Sequence, residues 1–150
     1  MVDVVRTFTV PEPVDVIVAY LKDFANAENW NPGTVSCSRV DNGPIEVGSK
    51  WHHVSEFHGR TIELAYHLAR YEPRHLTFLG ENETETSTED LKFVPVAEGT
   101  SITYHANLVF DEVGRLADSL LKHEFDKFGD EVVATMTRTL SSQPKTSGLP

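Results

Sequence analysis

The stretch from Glu112 to Leu140 limits what this chain can become, because it is the only long helical pattern in the sequence. Apolar side chains recur at Val113, Leu116, Ala117, Leu120, Leu121, Phe125, Phe128, Val132, Val133 and Met136, in steps of three and four. That spacing lays them on one stripe of a helix. Roughly 28 residues at about 1.5 Å each make a rod on the order of 40 Å, as wide as a small domain. A stripe of that length needs a broad apolar partner. Gly114 and Gly129 interrupt it, each at about 1 kcal/mol relative to alanine. They are either tolerated on the surface or mark a close approach to a sheet or ligand.

Everything before the helix supplies strands. Val2 to Val10 is β-branched and stops at Pro11. Val14 to Leu21 and Phe24 to Trp30 read as two short helices, too small to bundle with the long one and placed to support one end of a sheet. Six further strands follow: Val35 to Asp41, Val47 to His58, Thr61 to Tyr71, His75 to Gly80, Thr84 to Val94 and Ser101 to Phe110. Short links between them imply an antiparallel meander. Alternation points Ile62, Leu64, Tyr66 and Leu68 to one face, and Ile102, Tyr104, Ala106, Leu108 and Phe110 to the same side. Trp51, His53, Ser55 and Phe57 join them by analogy, as do Leu76, Phe78, Leu91 and Phe93. One apolar sheet face meeting one long helix is a two-layer α+β architecture. Residues 1–140 form a single domain, and 141–150, without periodicity, are expected to be a flexible tail.

Composition removes several classes of function. The formal charge is −10, with 13 Lys and Arg against 23 Asp and Glu. No basic stripe offsets it, which argues against nucleic acid and against anionic membrane surfaces. No apolar run approaches the about 18 residues of a membrane span, and no basic-then-apolar leader opens the chain. Cys37 is the single cysteine and cannot form an internal disulfide, which fits a reducing compartment. The expectation is a soluble cytoplasmic domain, a monomer or a homodimer.

Curved sheets that grip one helix tend to diverge from it at one end and leave a cavity. The inward residues Trp51, Phe57, Tyr66, Phe78, Tyr104, Phe125 and Phe128, with His53 and Ser55 among them, have the composition of a small-molecule site. The alternative is a solid core. The ordered set Val10–Ile17 (Val-Pro-Glu-Pro-Val-Asp-Val-Ile), Asn29–Gly33 (Asn-Trp-Asn-Pro-Gly), Val47–Trp51 (Val-Gly-Ser-Lys-Trp), Tyr71–Leu76 and Glu98–Tyr104 resembles the START/Bet v 1-like (SRPBCC) superfamily, and within it the polyketide cyclase/dehydrase and lipid-transport branch. The resemblance spans about Val2 to Leu140. It implies a helix-grip fold: a seven-stranded curved antiparallel sheet around a long C-terminal helix, with two short helices after strand 1 and a hydrophobic cavity. It carries over a pocket and not a reaction.

Candidate ligand-binding residues are Trp30, Trp51, Phe57, Leu64, Phe78, Leu91, Leu108, Phe125 and Phe128. Trp30 either lines the cavity mouth or anchors the short helices to the sheet. His53 is the one histidine placed inside; His67 and His105 face outward, and His58 and His75 sit near turns. No His-x-His or His-x-x-x-His pattern is present, so no metal site is expected. Nucleophile elbows and phosphate loops are absent too. Glu83, Glu85 and Glu89 read as solvated acids on an exposed hairpin that discourage edge pairing. Three functions remain: binding of a hydrophobic or aromatic small molecule such as a lipid or polyketide; a cofactor-independent aromatase/cyclase using His53, Tyr66 and Tyr104 as acid–base groups; or an interaction module with a vestigial pocket.

Overall fold

The computed structural model describes residues 2–57, 59–110 and 118–141. Seven strands form one antiparallel sheet: β1 (Val2–Val10), β2 (Thr34–Arg39), β3 (Lys50–Phe57), β4 (Arg60–Glu72), β5 (His75–Glu81), β6 (Glu85–Val96) and β7 (Gly99–Phe110). Their spatial order is β1-β7-β6-β5-β4-β3-β2, a meander from β2 to β7 that β1 closes on the far side of β7. Register shifts at Thr34/Ser36 and Leu68/Arg70 interrupt the ladders. Such irregularities bend a sheet and let it curl. The long helix, here α3, is described over Asp118–Ser141 and lies across the inner face. This is the expected α+β helix-grip architecture. Residues 112–117, which include Gly114, lie outside the described residues, as does the tail beyond Ser141. Ser141 itself closes the helix. Among the described residues no helix is long and apolar enough to cross a membrane.

Between β1 and β2 the chain forms α1 (Val14–Leu21), a 3-10 turn over Phe24–Asn26, and α2 (Ala27–Trp30). The expected second helix is thus split. Asp23 explains the break: its carboxylate accepts from the Ala25 amide at 3.1 Å and from the Trp51 indole N–H at 3.0 Å. Capping here starts a new turn and ties it to β3. Phe24 is driven inward, its ring 4.5 Å from those of both Phe78 and Tyr66. Trp30 packs edge-on to Phe24 and Tyr104. These side chains, with Trp51, Leu68, Leu76, Leu91, Phe93 and Ile102, are fully buried and fill one end of the space under the sheet.

The opposite face of the sheet is wet and carries cross-strand pairs. His75 lies 2.7 Å from Asp90, His105 2.8 Å from Asp3, and His52 3.0 Å from Glu63.

Two residues on β1 seat the helix. A β-carbon on Gly129 would fall 2.5 Å from Val4 Cγ1, so the backbone of α3 touches β1 directly. Close approach is therefore the role of this glycine. Beside it, Arg6 donates to Asp130 Oδ1 and to the Asp126 carbonyl, each at 2.9 Å. Val132, Met136 and Leu140 continue the buried stripe toward α2, where Thr139 donates to the Asn29 carbonyl at 3.1 Å.

Gly129→Ala should therefore destabilise by about 1–3 kcal/mol through overpacking, although helix propensity alone favours alanine by about 1 kcal/mol. Urea unfolding checks the sign. A second change, Val4→Ala, should recover part of the loss, because a β-branched valine cannot swing away.

Candidate functional site

North of the Gly129 contact, α3 and the sheet part company. A cavity of about 130 Å³ lies there, bounded by Phe125 and Phe128 of the helix and by residues of β3, β4, β6 and β7. Its walls are mostly apolar: Ile62, Leu64, Ala106, Leu108, Phe110 and the two phenylalanines. The exposed side chains of Glu56 and Arg60 stand at its rim, with Asn31 and Gly33 of the loop after α2.

Polar groups enter this apolar space from three strands. On β3, His53 is buried at 4% exposure; its Nε2 is 2.9 Å from Thr34 Oγ1 and its Nδ1 has no partner. Burial, with a smaller push from His52, drives its pKa down to about 4. His53 is therefore neutral near pH 7. On β4, the Tyr66 hydroxyl donates to Ser87 Oγ at 2.8 Å. The ring reaches β6 by crossing Gly80 of the intervening strand, where a β-carbon would fall 2.6 Å from it. Only glycine permits that path. Burial, and next the nearby Glu89 charge, hold the Tyr66 phenol well above its usual pKa, so it stays protonated.

The third strand carries the least expected groups. Glu85, Ser87 and Glu89 all point inward from β6 and border the cavity. Glu85 and Glu89 are each only 5% exposed, which corrects their assignment to a solvated hairpin. Their alternation is continuous with Leu91 and Phe93, so a period of two already placed all five on one face. Burial lifts Glu89 to about 7. The Tyr104 hydroxyl lies close enough to favour the ionised carboxylate, yet the pair does not meet hydrogen-bond geometry: Glu89 Oε2 and the Tyr104 hydroxyl are both buried without a partner. A carboxyl whose pKa is raised toward neutrality, bordering the same cavity as a neutral imidazole, is suited to giving or taking a proton there.

Residues 1–140 match the polyketide cyclase/dehydrase and lipid transport family. The chain belongs to that family. No curated protein matches it closely enough to be related by sequence alone. The fold is shared with solved structures of low sequence identity. TTHA0849 from Thermus thermophilus superposes with a TM-score of 0.75 at 14% identity, over 95% of this chain and 99% of that one. The Zhui aromatase/cyclase from Streptomyces sp. R1128 gives 0.73 at 11% identity, covering 97% of both chains. The di-domain aromatase/cyclase StfQ from the steffimycin biosynthetic pathway gives 0.69 at 12%, with 91% of this chain covering 49% of that one.

Of the residues expected at the site from sequence, the family fold brings His53, Tyr66, Leu64, Leu108, Phe125 and Phe128 to the cavity. Trp30, Trp51, Phe78 and Leu91 do not border it; they sit in the packed core beneath α2. Trp30 thus anchors the short helices, the second of its two readings. Tyr104 is also in the core and acts on the cavity only through Glu89. The Phe57 side chain lies outside the described residues. Cys37 is no nucleophile, its thiol pushed up to about 12 mainly by burial. Among the described residues, no three His, Cys, Asp or Glu side chains gather as a metal site would require.

Glu89 and His53 act on stability with opposite signs. Glu89, raised in the fold, stabilises most when protonated, and that contribution is lost as pH rises from about 4.5 through about 7. His53, depressed in the fold, contributes stability that is lost as pH falls from about 6.5 toward about 4. Glu89→Gln should therefore gain stability relative to the parent as pH is raised from 5 to 8. Parallel urea titrations across that range measure the difference.

Proposed function

We propose that this chain binds a compact hydrophobic or aromatic small molecule in the cavity between α3 and the sheet, as a carrier or sensor. The carrying observation is the cavity itself, a space of about 130 Å³ with mostly apolar walls, a few convergent polar groups and an opening at Glu56 and Arg60. Its size is close to that of a roughly 150 Å³ apolar cavity that stays dry and takes up a benzene ring. The Phe24 and Trp30 plug occupies the rest of the space under the sheet, so a ring-sized body fits inside and any longer portion extends to the rim at Glu56 and Arg60. Membership of a family described by cyclase, dehydrase and lipid-transport functions supports the same reading.

Ala106→Leu adds bulk to the sheet wall of the cavity beside Glu89, its cross-strand neighbour. It should abolish uptake of toluene or indole in ligand-observed NMR while leaving stability unchanged or higher by up to about 2 kcal/mol, as cavity filling does. A solid interior predicts no uptake by the parent chain either, which would favour the interaction-module reading.

A second reading is favoured by one particular observation. Glu89, His53 and the Tyr66–Ser87 pair bring groups able to exchange protons to the same apolar space. They suit a cofactor-independent cyclase or dehydrase, in which an aldol closure and loss of water need only proton transfer. Under this reading, His53→Phe and Glu89→Gln each abolish turnover of a poly-β-ketone substrate and leave its binding in place. Turnover that survives both substitutions removes the assigned acid–base groups.

A further inference from the structure

Resting on the binding reading above, we infer that the cavity takes a small aromatic or alicyclic molecule carrying a protonated nitrogen, with the Glu89 carboxylate as its counter-ion. The argument starts from what Glu89 lacks. It is 95% removed from solvent, it borders the cavity, and its Oε2 has no hydrogen-bond partner. Buried carboxylates are normally paired, because an isolated charge in an apolar setting is costly. Among the described residues, the groups that face it from each packed element supply no cation. β4 presents Tyr66, β3 presents His53, β7 presents Tyr104, and α3 turns the apolar Phe125 and Phe128 to the same space. On its own strand the cavity neighbours are Ser87 and the acid Glu85.

Among the described lining residues three are acids, Glu56, Glu85 and Glu89, and the one cation, Arg60, is out at the exposed rim. With the unpartnered Glu89 Oε2 at the cavity and a net charge of −10 over the chain, the site attracts cations and repels carboxylates. A fatty-acid or benzoate head directed inward would have to lose its water next to Glu89. An ammonium reverses these terms: it brings the positive charge that no described neighbour of Glu89 carries, donates to the unpartnered Oε2, and leaves its apolar body against Leu64, Leu108 and Phe125.

Proton linkage follows from the same pairing. Burial pushes the Glu89 carboxyl up to about 7, so an ammonium must displace its proton at lower pH. Affinity then falls about tenfold per pH unit below 7 and levels off above it. His53, already neutral there, does not contribute in this window.

Calorimetric titration of the full chain at pH 8 with benzylamine, benzyl alcohol, benzoate and toluene tests the inference. Benzylamine should bind roughly tenfold or more tightly than benzyl alcohol, as a charge-assisted hydrogen bond implies, and benzoate most weakly. Glu89→Gln should erase the preference for the amine while retaining benzyl alcohol, which also shows that the variant is folded. A measurement on the parent chain alone guards against a variant that fails to fold. At pH 7, heats compared between buffers of different ionisation enthalpy should show protons released on binding benzylamine and none on binding benzyl alcohol. Equal affinity for amine and alcohol, an amine preference that survives Glu89→Gln, or benzoate as the tightest ligand overturns the ion pair while leaving the pocket intact. Failure of all four probes to bind overturns the pocket reading itself.

Discussion

The seating of α3 on β1 is the constraint from which the rest of the structure follows. At Gly129 the helix backbone rests on Val4, with Arg6 fastened to Asp130 and to the Asp126 carbonyl beside it. A rigid rod held against a curved sheet at one place cannot follow the curve in both directions. On the C-terminal side, Val132, Met136 and Leu140 close down on the core and α2. On the other side, Phe125 and Phe128 stand off and roof a void. One missing side chain thus sets where the layers meet and, by the same geometry, where they separate.

How much space remains is decided by aromatic packing. Phe24 stacks on Phe78, lies tilted against Tyr66 and meets Trp51 and Trp30 edge-on, so much of the aromatic inner face is consumed as structure. Dense packing of this kind leaves few voids larger than a water molecule. The void that persists is therefore notable for its chemistry as much as its volume. Two glutamates, a histidine and a tyrosine–serine pair border it in a fold that could have used leucine at each position. Buried ionisable groups with shifted proton affinities, gathered at a cavity, are characteristic of functional sites.

Much of the fold was legible from pattern. β1 and α1 end where Pro11 and the helical spacing of Val14, Ile17, Val18 and Leu21 place them, and the seven strands fall within a few residues of their expected spans. The site was legible only in part. Alternation and helical phase turn His53, Tyr66, Leu64, Leu108, Phe125 and Phe128 inward, and these residues border the cavity. Trp30, Trp51, Phe78 and Leu91 were turned inward with equal justice, but facing inward does not distinguish a cavity wall from a filled core. Glu85 and Glu89 are harder to read: acids among threonines have the composition of a solvated hairpin, while the phase set by Leu91 and Phe93 on the same strand turns them inward.

Local sequence determined the elements, their order, and which side of each strand is apolar, because those follow from periods of two and 3.6 and from the short range of turn chemistry. Tertiary structure alone decided that Gly129 is a contact and not a flaw, that Phe24 is a plug, and that Glu89 is an unpaired acid in an apolar cavity. Each of these depends on what a distant strand or helix brings within a few ångströms. No periodicity in one segment encodes the shape of the surface it will meet.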